Sequence, residues 1–443
     1  MDILIKVSQF ILSLSLLIVL HELGHFIPAK LFKTKIEKFY LFFDLKFSLF
    51  KKKIGDTEWG IGWLPLGGYV KIAGMVDESM DTEQLKQPAQ PWEFRSKPTW
   101  QRLIIMLGGV TVNIIVGFAI YIGIAYYYGE ERIDPSKLKA GMAFHPYLAK
   151  YGLTSGDNIL SVEGEKVKNA TDLTSQVLLQ GAKKLKVKHS SGKVENIVLP
   201  DDIEYTLFEK GALPLSNFRT ISNTIDSIIP KSNAEKANLK KDDQFLSINN
   251  KNVFYFDEIQ RALYENKGKK VSITLLRAKD TLKIDANVTE EGTLGYQAGM
   301  SSILDSAQIK TYLPSFTESI SLGIENGNNT LINYVGQLKF LFTKKGASSL
   351  GGFVSIGKLF PPMWDWRIFW ATTAFISIAL AFMNILPIPA LDGGHVLFLL
   401  YEIITGKEAP QKVLEYAQYV GIAFLLGLMI YANGNDVYRL IFQ

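Results

Sequence analysis

The sequence predicts a mostly α-helical polytopic membrane protein with about four transmembrane helices, a membrane-associated β-hairpin loop and two inserted α+β domains. Four stretches reach or approach the length that spans a bilayer. A glycine-punctuated, strand-like segment lies between the first two stretches, and a pattern repeats at an offset of about 86 residues between the second and the third. At 443 residues, 47% of them hydrophobic, the chain has room for membrane segments and more than one soluble domain.

The four apolar stretches cover about residues 3–32, 103–128, 368–391 and 416–432, and the last is the shortest. Lysines crowd the loop that follows the first stretch, at Lys30, Lys33, Lys35, Lys38, Lys46, Lys51, Lys52 and Lys53. This excess marks the loop as cytoplasmic, so both termini and the region from 129 to about 365 are expected outside the cytoplasm. The first stretch has no small-residue cleavage site after it, so we expect it to be retained.

An H-E-x-x-H motif lies inside the first apolar stretch and consists of His21, Glu22, Leu23, Gly24 and His25. Positions i and i+4 of a helix share one face, so both imidazoles can hold one Zn²⁺ while Glu22 acts as a general base toward water. The chain has no cysteine, so any metal site must use His, Asp or Glu. The alternative is a pair of core histidines without a metal.

The third stretch ends in the residues NILPIPALDGGH, from Asn384 to His395. Pro387 and Pro389 end the apolar helix and free backbone carbonyl groups. Asp392 is an isolated carboxylate near membrane depth, and a cation held by the paired histidines is its best partner in the sequence. Two alternatives remain open: Asp392 belongs to an ordinary helix-ending Asp-Gly turn, or His395 competes as the third metal ligand.

Residues 59–74 read WGIGWLPLGGYVKIAG and show no helical period. This pattern suits a hairpin or a re-entrant loop, which survives at membrane depth only where protein buries it or a watery cavity receives it. The alternative is an ordinary cytoplasmic hairpin.

The region between the second and third stretches carries the repeat. In this repeat, Leu153, Asp157 and Val167 of the first copy match Leu239, Asp243 and Val253 of the second. Each copy reads as a polar turn with Asp, a short strand, a short helix and alternating strands. The predicted plan is a membrane segment at 1–128, two extracytoplasmic α+β domains at 129–214 and 215–290, a linker at 291–365 and a membrane segment at 366–443. An amphipathic piece around 334–342 lies at the membrane interface or is plain linker.

Charge excludes one class of partner. The net charge is only +5 and the basic residues form no long block, so no nucleic-acid partner is expected.

The one compact basic run, Lys51 to Lys53, is expected to flank the membrane. His145 and His189 lie in the repeated region and are expected at its surface. The lipid bilayer is the partner that the composition indicates.

The motifs together resemble one family: HELGH, WLPLGGYVKIAGM, FRSKPTWQR before the second stretch, the repeat, and NILPIPALDGGH. The chain resembles the bacterial site-2 proteases of the regulator-of-sigma-E group over nearly its whole length. The resemblance implies that His21, His25 and Asp392 bind Zn²⁺, that Glu22 is the catalytic acid/base, and that the repeated domains are PDZ-like. One departure is visible, because LGGV precedes Asn113 where the family usually has Ala-Gly-Pro. The missing proline puts the local bend of that helix in doubt.

The same resemblance implies an intramembrane protease of the bacterial inner membrane that acts in a stress response. Its substrates would be transmembrane segments of single-span, anti-sigma-factor-like proteins already trimmed outside the cytoplasm, and remnant signal peptides. Residues expected to hold the substrate are Asn384, Pro387 and Pro389, together with an exposed edge at Gly67, Gly68, Tyr69 and Val70 that adds the substrate as a strand. The PDZ-like domains would filter substrates by size. Capture of a newly made C-terminus is the rival role, although neither copy shows a clear carboxylate-binding loop.

Two other functional classes compete. A membrane metal transporter would line an ion path with intramembrane His and Asp, but such a path does not require Glu22 at the position of a general base. A non-catalytic scaffold would use the two inserted domains as binding modules, and the intact H-E-x-x-H motif argues against it.

Overall fold

The structure is a computed structural model that describes residues 2–65, 67–75, 87–135, 138–221, 223–299, 301–302 and 310–442. The chain divides into two compact units. The membrane unit comprises 1–129, 313–334 and 338–443, and the inserted unit comprises 130–312 and 335–337. Leu66, which belongs to the predicted loop 59–74, lies outside the described residues.

The elements follow one another along the chain in three groups. The first group is α1 (Asp2–Leu31), β1 (Ile36–Leu41), β2 (Phe43–Ile54), β3 (Thr57–Leu64), β4 (Tyr69–Ile72) and α2 (Thr99–Tyr128). The second is β5 (Glu130–Arg132), β6 (Met142–Phe144), β7 (Asn158–Val162), β8 (Glu165–Lys166), α3 (Leu173–Leu178), β9 (Lys184–Lys188), β10 (Val194–Val198), α4 (Ile203–Glu209), β11 (Ser216–Phe218), β12 (Thr220–Ile221), β13 (Ile225–Ile228), α5 (Asn233–Lys236), β14 (Gln244–Ile248), β15 (Lys251–Asn252), α6 (Phe256–Glu265), β16 (Lys270–Arg277), β17 (Asp280–Asn287), β18 (Tyr296–Ala298), β19 (Ser301–Ser302) and β20 (Lys310–Tyr312). The third is α7 (Phe316–Leu338), α8 (Lys344–Ser349), α9 (Phe353–Gly357), α10 (Trp366–Ile385), α11 (Asp392–Thr405) and α12 (Gln411–Phe442).

Four helices among the described residues, α1, α2, α10 and α12, are long and apolar enough to cross a membrane. This confirms the four stretches predicted from the sequence, with two changes of length. Helix α10 ends at Ile385 instead of continuing to 391, because Pro387 and Pro389 cannot continue the helical hydrogen bonding. Helix α12 has 32 residues and is much longer than the predicted stretch 416–432.

Helix α1 buries polar residues that its apolar composition conceals. Gln9 and Ser13 are fully buried on one face, and Glu22 and His25 are buried on a different face nearer the end of the helix. The hydroxyl groups of Ser13 and Thr373 are 2.9 Å apart and join α1 to α10. Buried polar groups need such partners, so the face with Gln9 and Ser13 lies against the other helices of the unit.

The segment after α1 forms a four-stranded sheet with the strand order β2-β3-β1-β4. Strands β3 and β4 therefore lie on opposite sides of β1, and the prediction of a hairpin within 59–74 is wrong. The hairpin is formed by β2 and β3, where Ile54 pairs with Thr57. The first strand of this hairpin, β2, was not predicted from the sequence, because its lysines were interpreted as part of a loop. In the structure these lysines lie along an exposed strand. Stacked rings of Phe39 and Trp59, with centroids 4.5 Å apart, pack the sheet against Phe26 of α1.

The predicted linker after the inserted region contains a 23-residue helix, α7. Its glycines and asparagines suggested a loop, but the glycines have a packing role. A Cβ atom on Gly323 would lie 2.4 Å from the Ile122 side chain, and one on Gly327 would lie 2.9 Å from the Phe118 ring. Glycine therefore lets α7 approach α2 closely, an arrangement typical of membrane helices.

The inserted unit contains two sheets of the same design. Their strand orders are β10-β9-β7-β8 and, read in the corresponding direction, β17-β16-β14-β15. A buried aspartate stands at the same place in each copy: Asp157 accepts from His189 Nδ1 at 3.0 Å, and Asp243 accepts from Arg277 Nε at 2.7 Å. His145 and His189, expected at the surface, are both partly exposed and half-buried.

Candidate metal centre

Helices α1 and α2 touch through their backbones beside the H-E-x-x-H motif. A Cβ atom on Gly108 would lie 1.9 Å from the carbonyl oxygen of Gly24, and one on Gly24 would lie 2.4 Å from that of Gly108. Only residues without a side chain permit this approach. The pair therefore sets the distance between the two helices at the site.

Gly109 makes room for the two imidazole rings. A Cβ atom at this position would lie 2.3 Å from His25 Nε2 and 2.6 Å from His21 Cε1. The ring centroids of His21 and His25 are 4.9 Å apart and the rings are nearly perpendicular, as expected for positions i and i+4 of one helix. Both Nε2 atoms thus point into the same small space.

Asp392 reaches the same space from the chain that follows the C-terminal end of α10. The chain turns after Ile385 and Asp392 is the first residue of α11, where the helix dipole favours a negative charge. Gly393 keeps this turn tight, because a Cβ atom there would lie 2.2 Å from the Leu386 carbonyl oxygen. The two prolines therefore end one helix so that the next can begin with the carboxylate at the histidines.

The donor atoms of His21, His25 and Asp392 form a nearly equilateral triangle. The two Nε2 atoms are 3.3 Å apart, and each lies 3.4 Å from Asp392 Oδ2. Bonds of about 2.0–2.1 Å to a tetrahedral Zn²⁺ separate its ligand atoms by about 3.3–3.4 Å. Asp392 Oδ2 is buried and has no hydrogen-bond partner among the described residues. The geometry and the His₂Asp donor set therefore fit zinc, with the fourth position left for water or substrate.

The outer partners of the two rings decide which nitrogen faces the cluster. His25 Nδ1 donates to the carbonyl oxygen of Ile105 at 2.8 Å, so its Nε2 keeps a free electron pair. His21 Nδ1 lies 3.1 Å from the carboxamide of the fully buried Asn113, whose Oδ1 has no partner among the described residues. A half-turn of this carboxamide brings Oδ1 to Nδ1 as an acceptor and satisfies both groups. Both histidines then present Nε2 to a metal.

Glu22 lies beside the cluster and is almost fully buried. It lines a cavity of about 80 Å³ together with the two histidines and Asp392. Val70 of β4 lines the same cavity. Glu22 is thus held at the wall of the cavity, at the position of a general base for water in it.

The other predicted site residues are distributed around this cavity. Gly68, Tyr69 and Val70 of the sheet line it, whereas Gly67 does not. Asn384 Nδ2 lies 3.5 Å from His21 Nε2, and Pro389 lines an adjoining cavity. Pro387 is exposed. His395 lines both cavities but lies outside the three-residue cluster.

The sequence matches an established enzyme family: the model of peptidase family M50 covers residues 9–428. The chain belongs to peptidase family M50. It is therefore a metalloprotease that uses zinc, and the resemblance found in the sequence is confirmed. A purely transporting or scaffolding protein, the alternative class, does not fit this membership.

Relatives of this M50 peptidase align with it from end to end. A protein of Haemophilus influenzae named regulator of sigma E protease is 26% identical, and the alignment covers 99% of this chain and 100% of the relative. A relative in Neisseria meningitidis is 28% identical over 98% of both chains, and one in Vibrio cholerae is 28% identical over 99% of this chain and 100% of its own. Both carry provisional names as zinc metalloproteases.

Sequence reasoning missed the glycines that shape the M50 site. The departure from Ala-Gly-Pro was noted as a missing proline, yet in the structure it is Gly108 and Gly109 of that segment that lie against Gly24 and the two imidazoles. Helix α2 runs unbroken from Thr99 to Tyr128 without the proline. Two adjacent glycines in an apolar span are a signal of close helix contact and could have been used.

We expect Gly109→Ala to weaken zinc binding at least about tenfold, because the added methyl group would displace both imidazoles from the triangle. Chelator competition on the purified full-length protein measures the dissociation constant. Gly123→Ala is the matched control, since a Cβ atom at that position of the same helix meets nothing within 4 Å. Equal zinc affinity of the two variants would contradict this account of the site.

Proposed function

We propose that this M50 metalloprotease cleaves transmembrane segments of single-span membrane proteins. The observation that carries the proposal is the place of the triangle: two of its ligands and Glu22 lie within α1, a helix apolar enough to span a membrane. The relative named regulator of sigma E protease supports substrates of the anti-sigma-factor type, already trimmed outside the cytoplasm, and remnant signal peptides are a further class. His21, His25 and Asp392 are the zinc ligands and Glu22 is the acid/base.

We assign the protein to the bacterial inner membrane, with both termini outside the cytoplasm. The lysines after α1 support this orientation, because cytoplasmic loops carry the excess of positive charge. The sheet β2-β3-β1-β4 then lies on the cytoplasmic side of the site or enters the membrane there as the proposed membrane-associated β-loop.

A substrate must unfold locally before it can be cut. The cavity at the triangle has only about 80 Å³, whereas a helix with its side chains is about 10–12 Å across. Strand β4 is the edge of its sheet, and its residues Tyr69 and Val70 line the cavity. An extended substrate segment can therefore add to β4 as a further strand and satisfy the backbone groups that its helix has released. Gly68 allows β4 to lie against α1, since a Cβ atom there would be 2.4 Å from Ile18.

The chemical step uses residues held on three sides of the cavity. When bound, zinc polarises the scissile carbonyl and activates water. Glu22 accepts the proton of the attacking water and passes it to the nitrogen of the leaving amine. Asn384 is placed to donate to the substrate backbone, and Pro387 and Pro389 shape the turn that presents it.

Glu22→Gln is expected to lower the cleavage rate at least about 100-fold while zinc stays bound, because the amide cannot accept the proton but leaves the three ligands in place. Cleavage of a single-span reporter in proteoliposomes and zinc content per chain are the two measurements. Glu415→Gln, a carboxylate outside the cavity, serves as the control. Undiminished proteolysis by the Glu22→Gln protein would remove Glu22 from the mechanism.

Tyr69→Pro is expected to raise KM for a transmembrane substrate about tenfold with zinc retained, because proline disrupts the edge strand that receives the substrate. Val70→Pro should act in the same direction, since Val70 also belongs to β4 and lines the cavity. Leu49→Pro is the control, because Leu49 lies in β2 at the opposite edge and between paired residues of a bulge. An unchanged KM in both variants of β4 argues that substrate binds elsewhere.

The two repeated domains are, in this proposal, PDZ-like modules that filter substrates by size. A cavity of about 290 Å³, lined by residues of both repeated domains, supports the rival role, capture of a C-terminus. It lies between α6 and residues 292–296, a Gly-Thr-Leu-Gly-Tyr segment whose backbone could receive a carboxylate. This segment was not recognised as a binding loop in the sequence.

Removal of the inserted unit separates the two roles. Strands β5 and β20 lie near the two ends of the segment 130–312 and pair with each other, with Arg132 opposite Lys310, so residues 133–309 can be replaced by a short Gly/Ser linker. If the domains filter, the shortened enzyme is expected to cut a substrate that has not been trimmed. Slower cleavage of trimmed and untrimmed substrates alike would show recruitment instead. Zinc content of the shortened protein, expected unchanged, controls for the integrity of the membrane unit.

A further inference from the structure

Gln418 of α12 makes an unusual contact for a residue in an apolar helix. Its side chain is only 6% exposed, and its Oε1 accepts a hydrogen bond from the backbone N–H of Ala390 at 3.1 Å. Gln418 also lines the cavity of the metal centre. The contact therefore joins the fourth long helix to the chain two residues before Asp392.

Ala390 needs such a partner because of the turn in which it lies. Leu391 N–H donates to the Ile388 carbonyl oxygen at 3.1 Å, with Pro389 and Ala390 as the central residues. Ala390 has φ of +76°, a conformation that this kind of turn usually reserves for glycine. A strained residue of this kind persists only where neighbouring groups hold it. The Ala390 N–H takes no part in the turn's own hydrogen bond, and Gln418 is the group that receives it.

Gly421, one turn further along α12, brings the helix against the same turn. A Cβ atom on Gly421 would lie 2.0 Å from the carbonyl oxygen of Pro389. The other buried contact of α12 lies near its C-terminal end, where Asp436 accepts from the backbone N–H groups of Gly352 and Ser355. Residues 422–435, between the two places, include no buried residue. The contact of α12 with the turn is therefore local and specific.

We propose that Gln418 and Gly421 are positioning residues that fix the turn 388–391 and thereby hold Asp392 at the two histidines. The inference rests on the proposed role of Asp392 as a zinc ligand. Neither residue touches the reacting atoms in this account. They act through the backbone of the ligand-bearing turn, as outer partners commonly do at metal sites.

Gln418→Met removes the acceptor and keeps a side chain of similar length. We expect zinc affinity to fall about tenfold or more, measured by chelator competition on the full-length protein in detergent. Gly421→Ala, which pushes the helix off the turn, should weaken zinc binding by a similar factor. Gln418→Glu should restore most of the affinity, because its side chain keeps an oxygen that accepts from Ala390. This rescue does not depend on catalysis.

Two matched controls separate positioning from general stability. Gln9→Met removes another buried glutamine, whose Nε2 donates to the Pro361 carbonyl oxygen at 3.0 Å away from the centre. Gly427→Ala adds a methyl group to α12 where nothing lies within 4 Å. Both controls should bind zinc within about twofold of the wild type, whatever the change in the melting temperature of the zinc-free protein.

The inference is overturned if Gln418→Met and Gly421→Ala both keep wild-type zinc affinity, or if Gln9→Met weakens zinc as much as Gln418→Met. It is also overturned if Gln418→Met lowers only the melting temperature of the zinc-free protein. In those cases the proposed protease function stands, provided that wild type binds zinc and Glu22→Gln does not cleave. A wild-type protein that cuts its substrate without zinc at His21, His25 and Asp392 would overturn both proposals together.

Discussion

The contact between the Asp392 carboxylate and the paired imidazoles of His21 and His25 is the constraint on which the membrane unit depends. A buried carboxylate without a partner costs several kcal/mol in apolar surroundings. Asp392 lies where α11 begins, so the dipole of that helix stabilises its charge, while its Oδ2 lies 3.4 Å from the Nε2 atom of each ring. A divalent cation between the three groups would complete this balance. The turn, the start of α11 and the site are therefore a single structural feature.

This contact requires the backbones of neighbouring helices to approach more closely than side chains allow. Glycine residues make this approach possible in α1, α2 and α12. Gly24 and Gly108 bring α1 and α2 together, and Gly109 leaves space for the rings. Gly421 does the same for α12 and the turn before Asp392. Each of these residues lies in a helix, where glycine is otherwise unfavourable. The site thus gains its geometry at a cost in intrinsic helix stability.

Prediction from the sequence succeeded where structure is local and failed where it depends on pairing. The four long helices follow from runs of apolar residues, and the repeated domains follow from alternation within short strands. The sheet after α1 was incompletely predicted, because β3 pairs in parallel with β1 and no local signal reports such a partner. Helix α7 was read as linker, since its glycines signal a loop unless a neighbouring helix fills the space beside them.

The sequence by itself determined the residue types available to a metal, the i and i+4 spacing of His21 and His25, the neighbouring Glu22 and the membership in a family of zinc peptidases. These features lie within one helix or within motifs that can be read directly. Only the tertiary structure decided that Asp392, and not His395, comes within 3.4 Å of both imidazoles, and that Gln418 holds the turn before it. The reason is physical: these contacts join segments distant in the chain, and their distances are set by how closely whole helices pack.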